Sequence, residues 1–174
     1  MITIVDYGLG NLNSIKNMFR FIGVESEIVS DPDTIDKAEK LLLPGVGAFD
    51  AAMSKLNETN LIPVLNKKAL EDKIPVLGIC LGMQLLTNGS DEGKLPGLGW
   101  IDADTIKFQF DTGEKVPHMG WNEVQLASDS KLTMDLPIPS RYYFVHSYYV
   151  KVAKEQNSIL KTEYGGSSFD SGIQ

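Results

Sequence analysis

The chain has 174 residues, 43% of them hydrophobic and 22% charged, a composition suited to one globular domain, residues 1–174, with a sizeable core. Its 16 basic against 23 acidic residues give a formal charge of −7 and argue against a nucleic-acid binder, which needs clustered Lys and Arg to neutralise phosphates. The single cysteine, Cys80, excludes an internal disulfide and any Cys-x-x-Cys metal site, so the expectation is a reducing, cytoplasmic setting with no metal and no cofactor. Met1 to Asp6 lacks the basic lead-in of a secretory leader, and no apolar run is long enough to span a membrane.

In chain order, Ile2 to Val5 reads as a buried strand because β-branched residues dominate it. Tyr7-Gly8-Leu9-Gly10 is a turn, with Asn11 or Asn13 placed to cap a helix on which Ile15, Met18, Phe19 and Ile22 recur and which Gly23 stops. The turn lacks the third glycine of a dinucleotide loop and is rejected as one. Glu25 to Val29 and Leu41 to Leu43 follow as strands, Phe49 to Leu56 and Leu61 to Leu70 as helices, Ile74 to Ile79 as a buried strand and Leu81 to Thr87 as a helix. Strands separated by helices predict an α/β fold with a mostly parallel, doubly wound sheet covered on both faces. The second half changes character: Asp104 to Phe110, Trp121 to Leu126, Arg141 to Val150 and Ser158 to Tyr164 read as strands, expected as antiparallel additions to that sheet.

The most informative stretch is Pro75-Val76-Leu77-Gly78-Ile79-Cys80-Leu81-Gly82-Met83-Gln84, a strand running through Gly-x-Cys-x-Gly into a helix. This is the layout of a nucleophile elbow with sulfur in place of a hydroxyl. A side chain on so sharp a turn stands out beyond the sheet, and flanking glycines let strand and helix approach without Cβ clashes. The Leu81 N–H, directly after the nucleophile, is placed to bind a developing oxyanion. A lone Cys in an apolar run is more often a small core residue, so the spacing alone favours function only modestly. A second loop adds weight. Leu41-Leu42-Leu43-Pro44-Gly45-Val46-Gly47 also runs from a strand into glycines, and ligands of open α/β sheets sit beyond the carboxyl ends of strands. Its backbone N–H groups can turn towards a neighbouring site.

These residues resemble a known family. Gly78 to Gln84 is similar to the nucleophile motif of class I glutamine amidotransferases, and Pro44 to Phe49 to their oxyanion strand. Val5 to Leu12, Pro117-His118-Met119-Gly120-Trp121-Asn122 and Tyr143-Phe144-Val145-His146-Ser147-Tyr148 resemble more narrowly the glutaminase-subunit branch belonging to imidazole glycerol phosphate synthases. The resemblance implies a flavodoxin-like amidotransferase fold and a Cys80 thioester formed from glutamine. It also implies ammonia passed to a (β/α)8 cyclase partner in a heterodimer of histidine biosynthesis. By the same resemblance Gly47 and Leu81 lie at the oxyanion hole, Gln84, Glu92, Ser147 and Tyr148 hold glutamine, and His118, Met119, Gly120, Trp121 and Asn122 face the partner and the ammonia exit. Without the family, Gln84 reads as a helix-surface residue and Glu92 as one acid of the Asp91-Glu92-Gly93 turn.

The family's general base lies in a Phe-His-Pro-Glu type motif that none of the 174 residues supplies, and neither His118 nor His146 fits that role. The expectation is therefore a chain truncated at its C-terminus, with exposed apolar surface and negligible glutaminase activity of its own. Three alternatives stand beside the histidine-pathway reading. One is a paralogue feeding ammonia to an enzyme of surface-sugar biosynthesis. Another is a non-catalytic binding subunit that contacts its partner around Trp121. The third is a thiol hydrolase of the same fold acting on another acyl group.

Overall fold

Four short parallel strands form the first sheet of the computed structural model, which describes residues 1–110 and 113–174. They are β1 (Ile2–Val5), β2 (Ser26–Val29), β3 (Leu41–Gly45) and β4 (Val76–Cys80), in the order β2-β1-β3-β4. Helix α1 (Leu12–Phe21) connects β1 to β2; the Asn11 side chain accepts from the Ser14 N–H at its start, and Gly23 in the left-handed region, φ 74°, ends it. A four-residue helix α2 (Pro32–Ile35), capped by Asp31 with Pro32 in its first turn, precedes β3. Helix α3 (Phe49–Glu58) and α4 (Ile62–Asn66) precede β4, and α4 runs on into a π-helical turn over Lys67–Glu71. There the largely buried Lys68 ammonium donates to the Asp36 carbonyl and pairs with Asp72, which satisfies a charge the core would otherwise reject.

One face of this sheet makes the main core. Val5, Leu41 and Leu43 pack with Phe49, Ala52, Met53 and Leu56 of α3, with Leu61 and Leu65, and with Leu81 and Leu85 of α5 (Leu81–Leu85). Each such fully buried aliphatic or aromatic side chain contributes roughly 1.5–3 kcal/mol over its exposed state. On the other face Ile4 and Leu42 are buried, but Leu77 and Ile79 of the edge strand β4 are 37% and 45% exposed. The expectation of a sheet covered on both faces therefore holds over β1 and β3 and fails over β4.

The second half forms its own sheet rather than extending the first. Strands β5 (Ala103–Lys107), β6 (His118–Leu126), β7 (Ser140–His146), β8 (Tyr148–Val152), β9 (Ser158–Tyr164) and β10 (Ser167–Ile173) run antiparallel in the order β5-β8-β10-β9-β6-β7. The reason lies after α5. Backbone bonds from Leu98 N to Leu85 O and from Trp100 N to Leu86 O fold residues 86–101 back along that helix, away from the free edge of β4. One bridge, Ser90 to Thr105, joins this wrap to β5. The single strand expected over Arg141 to Val150 is broken at Ser147. Among the described residues no helix is long and apolar enough to cross a membrane.

Candidate active site

The turn between β4 and α5 is strained in the way the Gly-x-Cys-x-Gly spacing requires. Cys80 has φ 55° and ψ −117°, a left-handed backbone that a residue with a Cβ adopts only at a cost of about 1–3 kcal/mol. The flanking glycines show what holds it there. A Cβ on Gly78 would lie 2.7 Å from the Gly82 carbonyl oxygen, and one on Gly82 would collide with the Leu43 carbonyl oxygen. Strand β4, helix α5 and strand β3 are thus packed backbone to backbone, and Cys80 is left exposed at the apex.

Strand β3 brings the second loop alongside. Gly45 lies opposite Cys80 in the parallel register, so Val46 and Gly47 begin where the nucleophile stands. Gly47 has φ 110° and open space around its Cα, and Val46 is exposed. Leu81, the first residue of α5, is buried, and its N–H belongs to the first turn, where helical N–H groups lack intrahelical acceptors. Tyr7, fully buried beneath both loops, donates its hydroxyl to the Pro44 carbonyl at 2.6 Å. Burial and the neighbouring Cys80 hold its phenol protonated well above the usual range. A Cβ at Gly45 would meet that hydroxyl, so Tyr7 fixes the height of the carboxyl end of β3.

Glu92 closes one side. Its carboxylate accepts from the Phe49 N–H at 2.9 Å, which seats it on the start of α3 immediately after the Gly45–Gly47 loop. Asp50 anchors the same segment by accepting from the Lys94 and Leu95 N–H groups, bonds that hold its carboxyl below the usual carboxylate range. Asp91 accepts from the Lys107 N–H at 2.9 Å, and Lys107 lies opposite Tyr148 in the β5–β8 pairing. The Phe108 N–H donates to the Ser147 carbonyl at 3.0 Å. These bonds link the start of α3, through the Asp91-Glu92 turn and the end of β5, to Ser147 and Tyr148. Gln84 is 9% exposed on α5, and among the described residues its side-chain amide makes no hydrogen bond.

The five residues expected at a partner face divide. Met119 and Trp121 point outward, 59% and 64% exposed, opposite Val145 and Tyr143, and the four form one apolar patch on the outer face of β6 and β7. His118 points the other way and is 3% exposed, with Asn122 bonded to it, so these two belong to the sheet's inner layer. Gly120, φ 136°, lies between them.

A nucleophile elbow with an apposed glycine loop is an arrangement suited to acyl transfer through a thiol. The family model described as glutamine amidotransferase class-I matches residues 3–169. The chain belongs to the class-I glutamine amidotransferase family. Among the relatives of this amidotransferase is the imidazole glycerol phosphate synthase subunit HisH 2 of Methanococcus maripaludis, 54% identical over 94% of the chain and 81% of that protein. The subunit HisH 2 of Pseudomonas aeruginosa is 43% identical over 99% and 85%. The subunit HisH 1 of a Campylobacter jejuni strain is 45% identical over 95% and 82%. In fold the chain is similar to a crystal structure of a glutamine amidotransferase, with a TM-score of 0.71 at 14% identity over 97% of this chain and 87% of that one. A glutamine amidotransferase from Thermotoga maritima gives 0.60 at 17% identity over 99% and 74%.

Around the elbow the structure also places residues that the sequence did not assign to the site: Tyr7, Asp50 and Asp91. Tyr7 lay in the Val5 to Leu12 motif and Asp91 in the Asp91-Glu92-Gly93 turn, but neither was given a role there, and Asp50 carried no signal. Tyr7 and Asp50 act through packing partners 37 and 44 residues away.

Proposed function

We propose that this amidotransferase is a glutaminase subunit, with Cys80 as nucleophile, that supplies ammonia to a (β/α)8 cyclase partner forming imidazole glycerol phosphate. The observation that carries the reading is the strained Cys80 elbow with Gly45 opposite it and Glu92 seated at the adjacent helix start. The relatives at 54% and 43% identity, each named as a subunit of imidazole glycerol phosphate synthase, support the product and a multi-subunit enzyme.

In this reading the Cys80 Sγ attacks the side-chain carbonyl carbon of glutamine. The carbonyl oxygen becomes an oxyanion held by the N–H groups of Gly47 and Leu81. The C–N bond breaks and the leaving nitrogen takes the proton that the Cys80 thiol gives up, so ammonia departs. Water then cleaves the thioester, releasing glutamate and restoring the thiol. Glu92 takes the substrate α-ammonium with the carboxylate oxygen that Phe49 leaves free. Gln84 offers an uncommitted amide, and Ser147 and Tyr148 offer backbone groups at the strand break. The Met119, Trp121, Tyr143 and Val145 patch meets the cyclase, since aromatic anchors on an exposed apolar face are the usual interface core.

His118 and His146 are hydrogen-bonded to each other, and among the described residues neither hydrogen-bonds Cys80. This reading therefore gives the 174-residue chain little glutamine turnover on its own, in a cytoplasmic heterodimer. Co-expression with a (β/α)8 cyclase is the test. A one-to-one complex supports the reading, as does glutamate release that Cys80→Ala abolishes. A complex formed only with a sugar-modifying synthetase favours the paralogue.

A further inference from the structure

The break between β7 and β8 is held by side chains. His146 Nδ1 lies 2.8 Å from the carbonyl oxygen of Tyr148, two residues on, so the ring closes a short loop around Ser147. A carbonyl only accepts, so this nitrogen carries the proton. His146 Nε2 is then an acceptor in the neutral ring, and it receives the Nδ1–H of His118 at 2.9 Å. His118 Nε2 in turn accepts from the Asn122 amide nitrogen at 3.2 Å. The orientation of that amide is fixed independently, because its nitrogen also donates to the Glu163 carbonyl at 2.8 Å and its oxygen accepts from the Glu123 N–H. Each donor in the chain meets an acceptor, and both rings are left with one tautomer, Nδ1–H.

The surroundings keep the pair rigid. Phe108 and Phe169 pack against His146, and Tyr164 and Phe144 stack on His118 at centroid distances of 3.9 and 4.8 Å. Among the described residues no side-chain carboxylate or ammonium hydrogen-bonds either ring. Of the titratable side chains around them, Tyr164 stacks on His118, Tyr149 packs on Phe108, and the Asp170 carboxylate is committed to the Val152 N–H.

We propose that His146 and His118 are positioning residues: their relay from Tyr148 to Asn122 fixes the bend at Ser147, and with it the backbone that the chain presents to glutamine. The proposal builds on the glutaminase reading, in which Ser147 and Tyr148 border the substrate. The relay crosses β8, β7, β6 and β9, so it also ties the glutamine-facing bend to the strands whose outer faces carry Trp121 and Tyr143. At the break itself the main chain is held by the Phe108 N–H to Ser147 carbonyl bond, and the His146 ring supplies a second fixed point at Tyr148.

The test is the rate of Cys80 alkylation by iodoacetamide in the full chain, with and without L-glutamine. The rate without glutamine reports the elbow, and the glutamine concentration that halves it reports the binding site. His146→Phe keeps the ring packing and removes the donor, and it is expected to raise that concentration by about tenfold while leaving the unprotected rate within about twofold. His146→Asn keeps a donor at the Nδ1 position and is expected to restore protection to within about threefold of the unsubstituted chain. Nitrogen-15 NMR of the imidazoles is expected to show both rings as Nδ1–H tautomers. Unchanged protection in His146→Phe, or an Nε2–H tautomer at His146, overturns the proposal. Alkylation that glutamine does not slow even in the unsubstituted chain overturns the glutaminase reading itself.

Discussion

Replacing Cys80 by alanine and by glycine separates the chemistry of the thiol from the strain of the elbow. Both substitutions remove the nucleophile, but only glycine removes the Cβ that makes φ 55°, ψ −117° costly. Relief of that strain is worth about 1–3 kcal/mol. Glycine also loses more backbone entropy on folding, about 0.5–1 kcal/mol relative to alanine. The difference leaves Cys80→Gly more stable than Cys80→Ala by about 1 kcal/mol, a rise of about 2–4 °C in the midpoint for a chain of this size. At an ordinary strand or helix position the order is reversed, so the sign is the measurement. Urea and thermal unfolding of the two variants, followed by circular dichroism, decide it. A Cys80→Gly variant less stable than Cys80→Ala would refute the strained elbow.

Three further outcomes follow from the packing. Gly82→Ala drives a methyl group into the Leu43 carbonyl and is expected to destabilise the chain by at least about 2–3 kcal/mol in urea unfolding. Trp121→Ala, at a residue 64% exposed, is expected to change stability by less than about 1 kcal/mol yet weaken binding to the cyclase by about 2 kcal/mol or more, read by calorimetry. The His118 pKa is pushed from 6.5 down to about 4, first by burial and then by His146. The unfolded chain therefore takes up a proton below pH 6.5 that the folded chain refuses until about pH 4. Stability is complete above the upper value and falls as pH drops between the two, by at most about 3–4 kcal/mol at 1.36 kcal/mol per unit, and His118→Gln should flatten that slope in urea titrations.

The parallel half of the fold was legible because its signals are local. β-Branched runs, Asn11, Gly23 and the Gly78–Gly82 spacing each act within a few residues, and each has its expected place. The antiparallel half was less so. Its strands were largely visible, but their separate sheet depends on residues 86–101 bonding back to α5, which no periodicity reveals. β10 escaped notice because Phe169 is the one large apolar residue among Ser167 to Gly172; pairing with β9 and β8 makes the strand. At the site, Cys80 and the Gly45–Gly47 loop followed from spacing, whereas the inward turn of His118 did not. Strand alternation places neighbouring residues on opposite faces, so of the five only Met119 and Trp121 stand on the outer face with Val145 and Tyr143.

Labelling by a chloromethyl ketone analogue of glutamine tests most directly whether Cys80 stands in a glutamine site. Attack by the Sγ forms one C–S bond and expels chloride, so intact mass and peptide mapping locate the adduct. One adduct is expected, at Cys80, with a rate that saturates as reagent concentration rises and slows when L-glutamine is added. A rate that rises linearly and ignores glutamine would contradict it.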